Sequence, residues 1–169
     1  MAFGTWLDGT QLGATAVNTQ IVQNLLVYKP SDESVTNSET IQNDDHLKFT
    51  VEPDTDYLVK SFIIVNGADG GGIEFGWYGP SGAVFDWCSN AFGDPVDTGD
   101  PVSRRKQGMT NLPTCDLLGT GTDICIPVMG VLRVGENGGT FGFRWAQGNS
   151  HATRTLVKAR SCLIVTKLV

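Results

Sequence analysis

The chain has 169 residues, enough for a single domain that can remove about two thirds of its unfolded surface from water. Its net charge of −6 excludes the cationic surplus from which nucleic-acid binders draw their phosphate affinity. Gly 21, only 18% charged residues and many Thr, Asn, Val and Phe favour short strands joined by tight turns, and no apolar run is long enough to span a bilayer.

Residues 1–23 mix Gly, Thr, Gln and Asn with isolated apolar side chains such as Phe3, Trp6 and Leu7. The first lysine is Lys29, so this start lacks the basic and continuously apolar parts of an export signal. Val17, Ile21 and Leu25 fall at helical spacing, while "NLLVYKP" reads equally well as a first strand ending at Pro30. We expect an extended arm over residues 1–23 leading into the body at residues 24–169. Its scattered apolar side chains suit burial on another subunit.

"SDESVTNSET" is polar and rich in turn formers, and reads as a loop or an edge strand. In "IQNDDHLKFTVEP", Leu47, Phe49 and Val51 alternate with Lys48, Thr50 and Glu52, the period of a strand with one buried face. Asp44 and Asp45 stand where a turn would feed that strand and His46 where it would begin, so a turn is expected there rather than a metal or acid/base centre. His46 and His151 are the only histidines.

A turn at residues 53–56 leads to a strand over 57–65 that is apolar at both parities: Leu58, Phe62 and Ile64 alternate with Val59, Ile63 and Val65. Such a strand is covered on both sides. One face is expected to pack on an opposing sheet, the other on a loop or a neighbouring subunit. "NGADGGGIEFGWYGPSG" reads as a glycine-rich hairpin connection into a strand with Ile73, Phe75 and Trp77 on one face; it lacks the lysine and the helix of a phosphate loop.

Residues 86–122 form the least regular stretch, and a long loop with a partner-specific contact is expected there. Asp94, Asp97 and Asp100 recur every third residue but lack the ligand pattern of a calcium loop. Arg104, Arg105 and Lys106 are the one basic cluster, a solvated loop or a contact for an acidic protein surface. The last third returns to strands in "DICIPVMGVLRV", "GTFGFRWAQ" and "TRTLVKARSCLIVTKLV", the first two joined across a tight-turn signal at Asn137 and Gly138. Gln147, Asn149 and Ser150 are expected to form the turn before the final stretch. The sum is an all-β antiparallel sandwich, jelly-roll-like, of about eight strands.

Cys88, Cys115, Cys125 and Cys162 are irregularly spaced with no CxxC, so packing thiols are expected; a disulfide between Cys115 and Cys125 is the alternative. No nucleophile elbow, zinc-protease motif or dinucleotide fingerprint occurs, and neither a metal nor a cofactor is expected. Glu74 and Asp86 are the carboxylates that a minority glycosidase reading would use.

Three stretches, "SDESVTNSETIQNDDHLKFTVEPDTDYLV", "GIEFGWYGPSGAVFDW" and "GTFGFRWAQGNSHATRTLVKARSCLIVTKL", together resemble a family of small β-domain virion proteins of tailed bacteriophages. The resemblance runs from Lys29 to Val169 and rests on the DDHL and WAQ-N-S elements in order; residues 1–23 and 86–122 fall outside it, and Cys162 stands where the family often has Tyr. It implies a non-enzymatic head decoration or minor tail component assembled in the host cytoplasm. The implied partners are the major capsid protein or other virion proteins and further copies of the chain, a trimer favoured, with no nucleic acid and no membrane. Phe3, Trp6 and Leu7 are then the anchors of an arm reaching between subunits. In the alternative, a tail or fibre component binding a receptor or glycan, Trp87 and Phe92 are the rings expected at the surface, whereas a decoration protein would keep both in subunit contacts.

Overall fold

A computed structural model describes residues 24–89 and 106–168. The arm with Phe3, Trp6 and Leu7 lies outside the described residues, as do Phe92, Asp94, Asp97, Asp100, Arg104 and Arg105. Among the described residues there are eleven strands and no helix: β1 (Asn24–Tyr28), β2 (Glu33–Val35), β3 (Gln42–Val51), β4 (Asp56–Asn66), β5 (Ile73–Tyr78), β6 (Val84–Ser89), β7 (Thr114–Cys115), β8 (Ile124–Arg133), β9 (Gly139–Ala146), β10 (Thr155–Val157) and β11 (Cys162–Leu168). The excess over the expected eight comes mainly from β2, β7 and β10, each of two or three residues, too short to show a period in sequence.

The strands form two antiparallel sheets. In the seven-stranded sheet β4 is the hub: one side pairs with β8 from Asp56 to Val65, and the other pairs first with β11 and then, at Val65 and Asn66, with β10. Beyond these, β1 lies outside β11, β2 outside β10 and β6 outside β8. The four-stranded sheet runs β3-β9-β5-β7. From β2 to β10 every connection crosses to the opposite sheet, so the chain winds around the sandwich.

This winding corrects two local expectations. The glycine-rich stretch after β4 and the "GENGG" after β8 each carry the chain between sheets; neither β4 and β5 nor β8 and β9 are paired. Asn137 and Gly138 do not adopt the positive φ angles that a two-residue hairpin turn requires. A turn signal reports local backbone preference, whereas the aromatic face of β9 has to meet the opposite sheet. The turn before β4 does form, with Asp54 at φ 50°.

The inward parities meet as an aromatic layer. Trp77 of β5 stacks on Phe141 of β9 at 5.4 Å and meets Phe85 of β6 edge-on at 5.3 Å. Trp87 is also part of this layer, 5.9 Å from Phe75, and its indole Nε1–H donates to Gly108 O. Gly130 of β8 makes the layer possible, since a Cβ there would lie 2.6 Å from the Phe85 ring and from Trp87 Cβ.

Candidate functional site

The DDH stretch lies inside a strand and not ahead of one. Between the pairs Asn43↔Arg144 and Lys48↔Gly142, residues 44–47 of β3 face only Phe143 of β9, so the ladder carries a wide bulge. Asp44 repairs it: its Oδ1 accepts the backbone N–H groups of His46 and Leu47, each at 2.9 Å. That is the turn-fixing role expected of the aspartates, performed by Asp44 while Asp45 stays exposed.

Asp44 is itself fully buried, and its Oδ2 accepts from Lys29 Nζ at 2.8 Å. Lys29, also fully buried, donates equally to Glu33, whose other oxygen accepts from Gln42. Lysine is almost never buried without such partners. Ligand atoms of Glu33, Asp44 and His46 lie within 4.8 Å of one another, a spacing that a metal ion accepts. The ammonium of Lys29, however, already stands against both carboxylates, so a cation of the chain's own occupies the position a metal would take. The cluster is a clamp joining the strands on either side of the sandwich.

Glu74 and Asp86 cannot act as a catalytic pair. Glu74 points outward from the four-stranded sheet and Asp86 outward from the seven-stranded one, with the core between them. An open polar cleft of about 560 Å³, lined by Asp32, Asn66, Asp123, Arg154 and Lys158 among others, has no aromatic ring in its lining. Its groups bind each other: Asn66 donates to Thr120 O, Thr122 O and Asp123, and Lys158 meets Asp123 at 2.7 Å.

The largest unexplained feature is the outward side of the seven-stranded sheet. Phe62 of β4, Met129 of β8 and Leu26 of β1 are 50%, 53% and 63% exposed. Tyr28, Val84, Val131, Ile164 and Leu168 share this side and are also exposed. Register makes them contiguous: Leu26 is opposite Ile164, Ile164 opposite Lys60, Lys60 opposite Met129 and Met129 opposite Cys88. Five strands at the usual spacing make a face roughly 24 Å by 20 Å. Covering it is worth about 10 kcal/mol of apolar burial before the costs of association.

The opposite outer side contrasts with it. There Gly76 and Gly142 leave no side chain, and Leu112 lies where a Cβ of Gly76 would stand, so a segment of the same chain closes on the sheet. The bare apolar side is framed by charge at its β6 end, where Asp86 meets Lys106 at 2.9 Å and Arg133 at 3.0 Å. The hydrogen bond from Lys106 lowers the Asp86 carboxyl below the ordinary Asp range; desolvation opposes it and the charges of Lys106 and Arg133 reinforce it. An apolar centre with a polar rim is the anatomy of a protein interface.

Among the residues singled out in sequence, the structure therefore places Lys106 at this rim and Trp87 in the core, which removes Trp87 both as a surface ring and as a subunit contact. Lys29, Phe62 and Met129 were not singled out. The signal for Phe62 was the double-parity strand; the signal for Lys29 was a lone cation inside "NLLVYKP". The cysteines are thiols. Cys115 lies in the core, whereas Cys125, on the outward side of the other sheet, is raised above the usual thiol range by burial.

No protein-family model and no curated protein matches the sequence. Among solved structures, the tripod of the bacteriophage Tuc2009 baseplate is similar at 13% identity and TM-score 0.39, covering 99% of this chain and 73% of that one. An infectious bursal disease virus structure is similar at 11% identity and TM-score 0.29, covering 87% of this chain and 39% of that one. A lipoprotein of Bacteroides thetaiotaomicron follows at 11% identity and TM-score 0.26, covering 99% and 94%. At these scores the likeness does not extend to function. Fold and site define an all-β sandwich with one apolar outer face that stays bare among the described residues.

Proposed function

We propose that the chain is a non-enzymatic bacteriophage virion structural protein, a head decoration or minor capsid protein that binds the assembled shell. The observation that carries this reading is the apolar outer face of the seven-stranded sheet, which needs a protein cover. The sequence resemblance to phage virion proteins gives that cover its setting: the major capsid protein, other virion proteins and further copies of the chain, with a trimer as the favoured assembly.

A protein with affinity for the assembled lattice and little for separated subunits stabilises the lattice by mass action. Repetition around a symmetric particle multiplies each contact. In this reading the arm, through Phe3, Trp6 and Leu7, reaches between subunits, and Lys106 with Arg104 and Arg105 meets acidic partner surface. The tail or fibre alternative needs an exposed ring for a glycan; the buried Trp87 cannot be that ring, whereas Tyr28 and Phe62 are exposed.

Labelling intact virions with an antibody to the chain tests the proposal. Label distributed over the head is expected. Label confined to the tail favours the alternative, and absence from purified virions overturns both.

A further inference from the structure

We propose that residues 1–23 of one copy cover the apolar outer face of the seven-stranded sheet of a neighbouring copy. The inference rests on the reading of the arm as a link between subunits and names the surface that receives it.

Several observations point to this occupant. The face is the one large apolar surface that no described segment covers, while the outer side of the other sheet is covered at Gly76 by Leu112 and elsewhere exposes the polar Lys48, Thr50 and Thr140. Residues 1–23 carry Phe3, Trp6, Leu7, Leu12, Val17 and Ile21 but only one charged side chain, Asp8, so they need apolar surface and cannot build a core of their own. Asp8 matches the one charge at the centre of the face, Lys60; pairing two copies face to face would instead bring two Lys60 ammoniums into one apolar layer.

Length and direction agree. Twenty-three residues span up to about 75 Å when extended, against a face roughly 24 Å across. They join the body at Asn24, which is hydrogen-bonded in the plane of the sheet opposite Thr166 near the end of β11. Asn24 is the first paired residue of an edge strand, two residues short of the end of β11 at Leu168, so the arm leaves from the rim of the sheet.

The chain carries its own probes. Cys88, Cys125 and Cys162 all lie at outward positions of this face, and residues 1–23 contain no cysteine. The experiment uses the full-length chain with Thr5→Cys, which leaves the apolar anchors intact, as an equal mixture of ¹⁵N-labelled and unlabelled copies. Mild oxidation is followed by mass spectrometry of the linked peptides, with Asn137→Cys as a control at an exposed connection away from the face.

The expected result is disulfides from position 5 to Cys88, Cys125 or Cys162 joining labelled to unlabelled chains, at least about tenfold above the control, since docking raises local concentration. Links confined to one chain would overturn the transfer between copies, and with it the arm's role as a link. Links no more frequent than the control would overturn the inference outright. In that last case virion labelling still decides the functional proposal independently.

Discussion

At the scale of single residues, the Lys29–Asp44 pair decides how the bulge in β3 is held. Both side chains are fully buried, so removing one partner leaves an uncompensated charge. Lys29→Met is expected to cost about 3–5 kcal/mol in urea unfolding, and Lys29→Met with Asp44→Asn, which removes the charge but keeps the oxygen that accepts from His46 and Leu47, to recover part of that loss. Gly130→Ala presses a methyl against Phe85 and Trp87, and a loss of about 1–3 kcal/mol is expected from thermal melting. Asp86 has a lowered pKa, so its pairing contributes fully above the unfolded Asp value near pH 3.9 and is lost as pH falls through the lower folded value. The pair is partly exposed and its effect small. The stability difference between the parent chain and Asp86→Asn should therefore begin to shrink in unfolding curves below about pH 4 and vanish only once the pH is below the lower folded value. The sequence suggested that "DDH" served backbone geometry; it did not show which aspartate was buried, because the answer depends on Lys29 arriving from β1's end.

At the scale of elements, strand β4 was legible in detail. Its alternation gave the inward set Val59, Ile63 and Val65, and the apolar residues at the other parity demanded a second cover. No described loop supplies it, which leaves the neighbouring-subunit half of that expectation as the basis of the proposals. Connections were legible only in part. The Asn137–Gly138 signal named a hairpin between strands that lie in different sheets, since turn propensity is local and strand partnership is not. If the face is an interface, Phe62→Glu with Met129→Glu should weaken association by about 30-fold or more, the effect of losing a buried anchor. Sedimentation velocity measures this, and an unchanged near-ultraviolet circular dichroism spectrum would show that the core is intact.

At the scale of the whole molecule, the two sheets form a slab with one outer side that is apolar and that no described segment covers. A slab of this kind gains stability from neighbours, and gives it to them. Deleting residues 1–20 is expected to lower occupancy on the virion and to lower the temperature at which capsids release their contents; unchanged values for both would remove the arm from the proposed mechanism. At concentrations where the chain is monomeric, deletion should leave the melting of the body within about 0.5 kcal/mol, the usual range for changes away from the core.

The residue pattern alone determined that this chain is an antiparallel sandwich, that Ile73, Phe75 and Trp77 share one face of a strand, and that β4 requires covering twice. Those properties follow from alternation, which fixes the side of a strand that each residue occupies. Tertiary structure alone decided that Trp87 is core and not surface, that Lys29 fills the space between Glu33 and Asp44, and that five strands from distant parts of the chain align their outward apolar residues into one face. Each of these depends on register between strands far apart in sequence, and register is set by the packing of the whole sandwich rather than by any one segment.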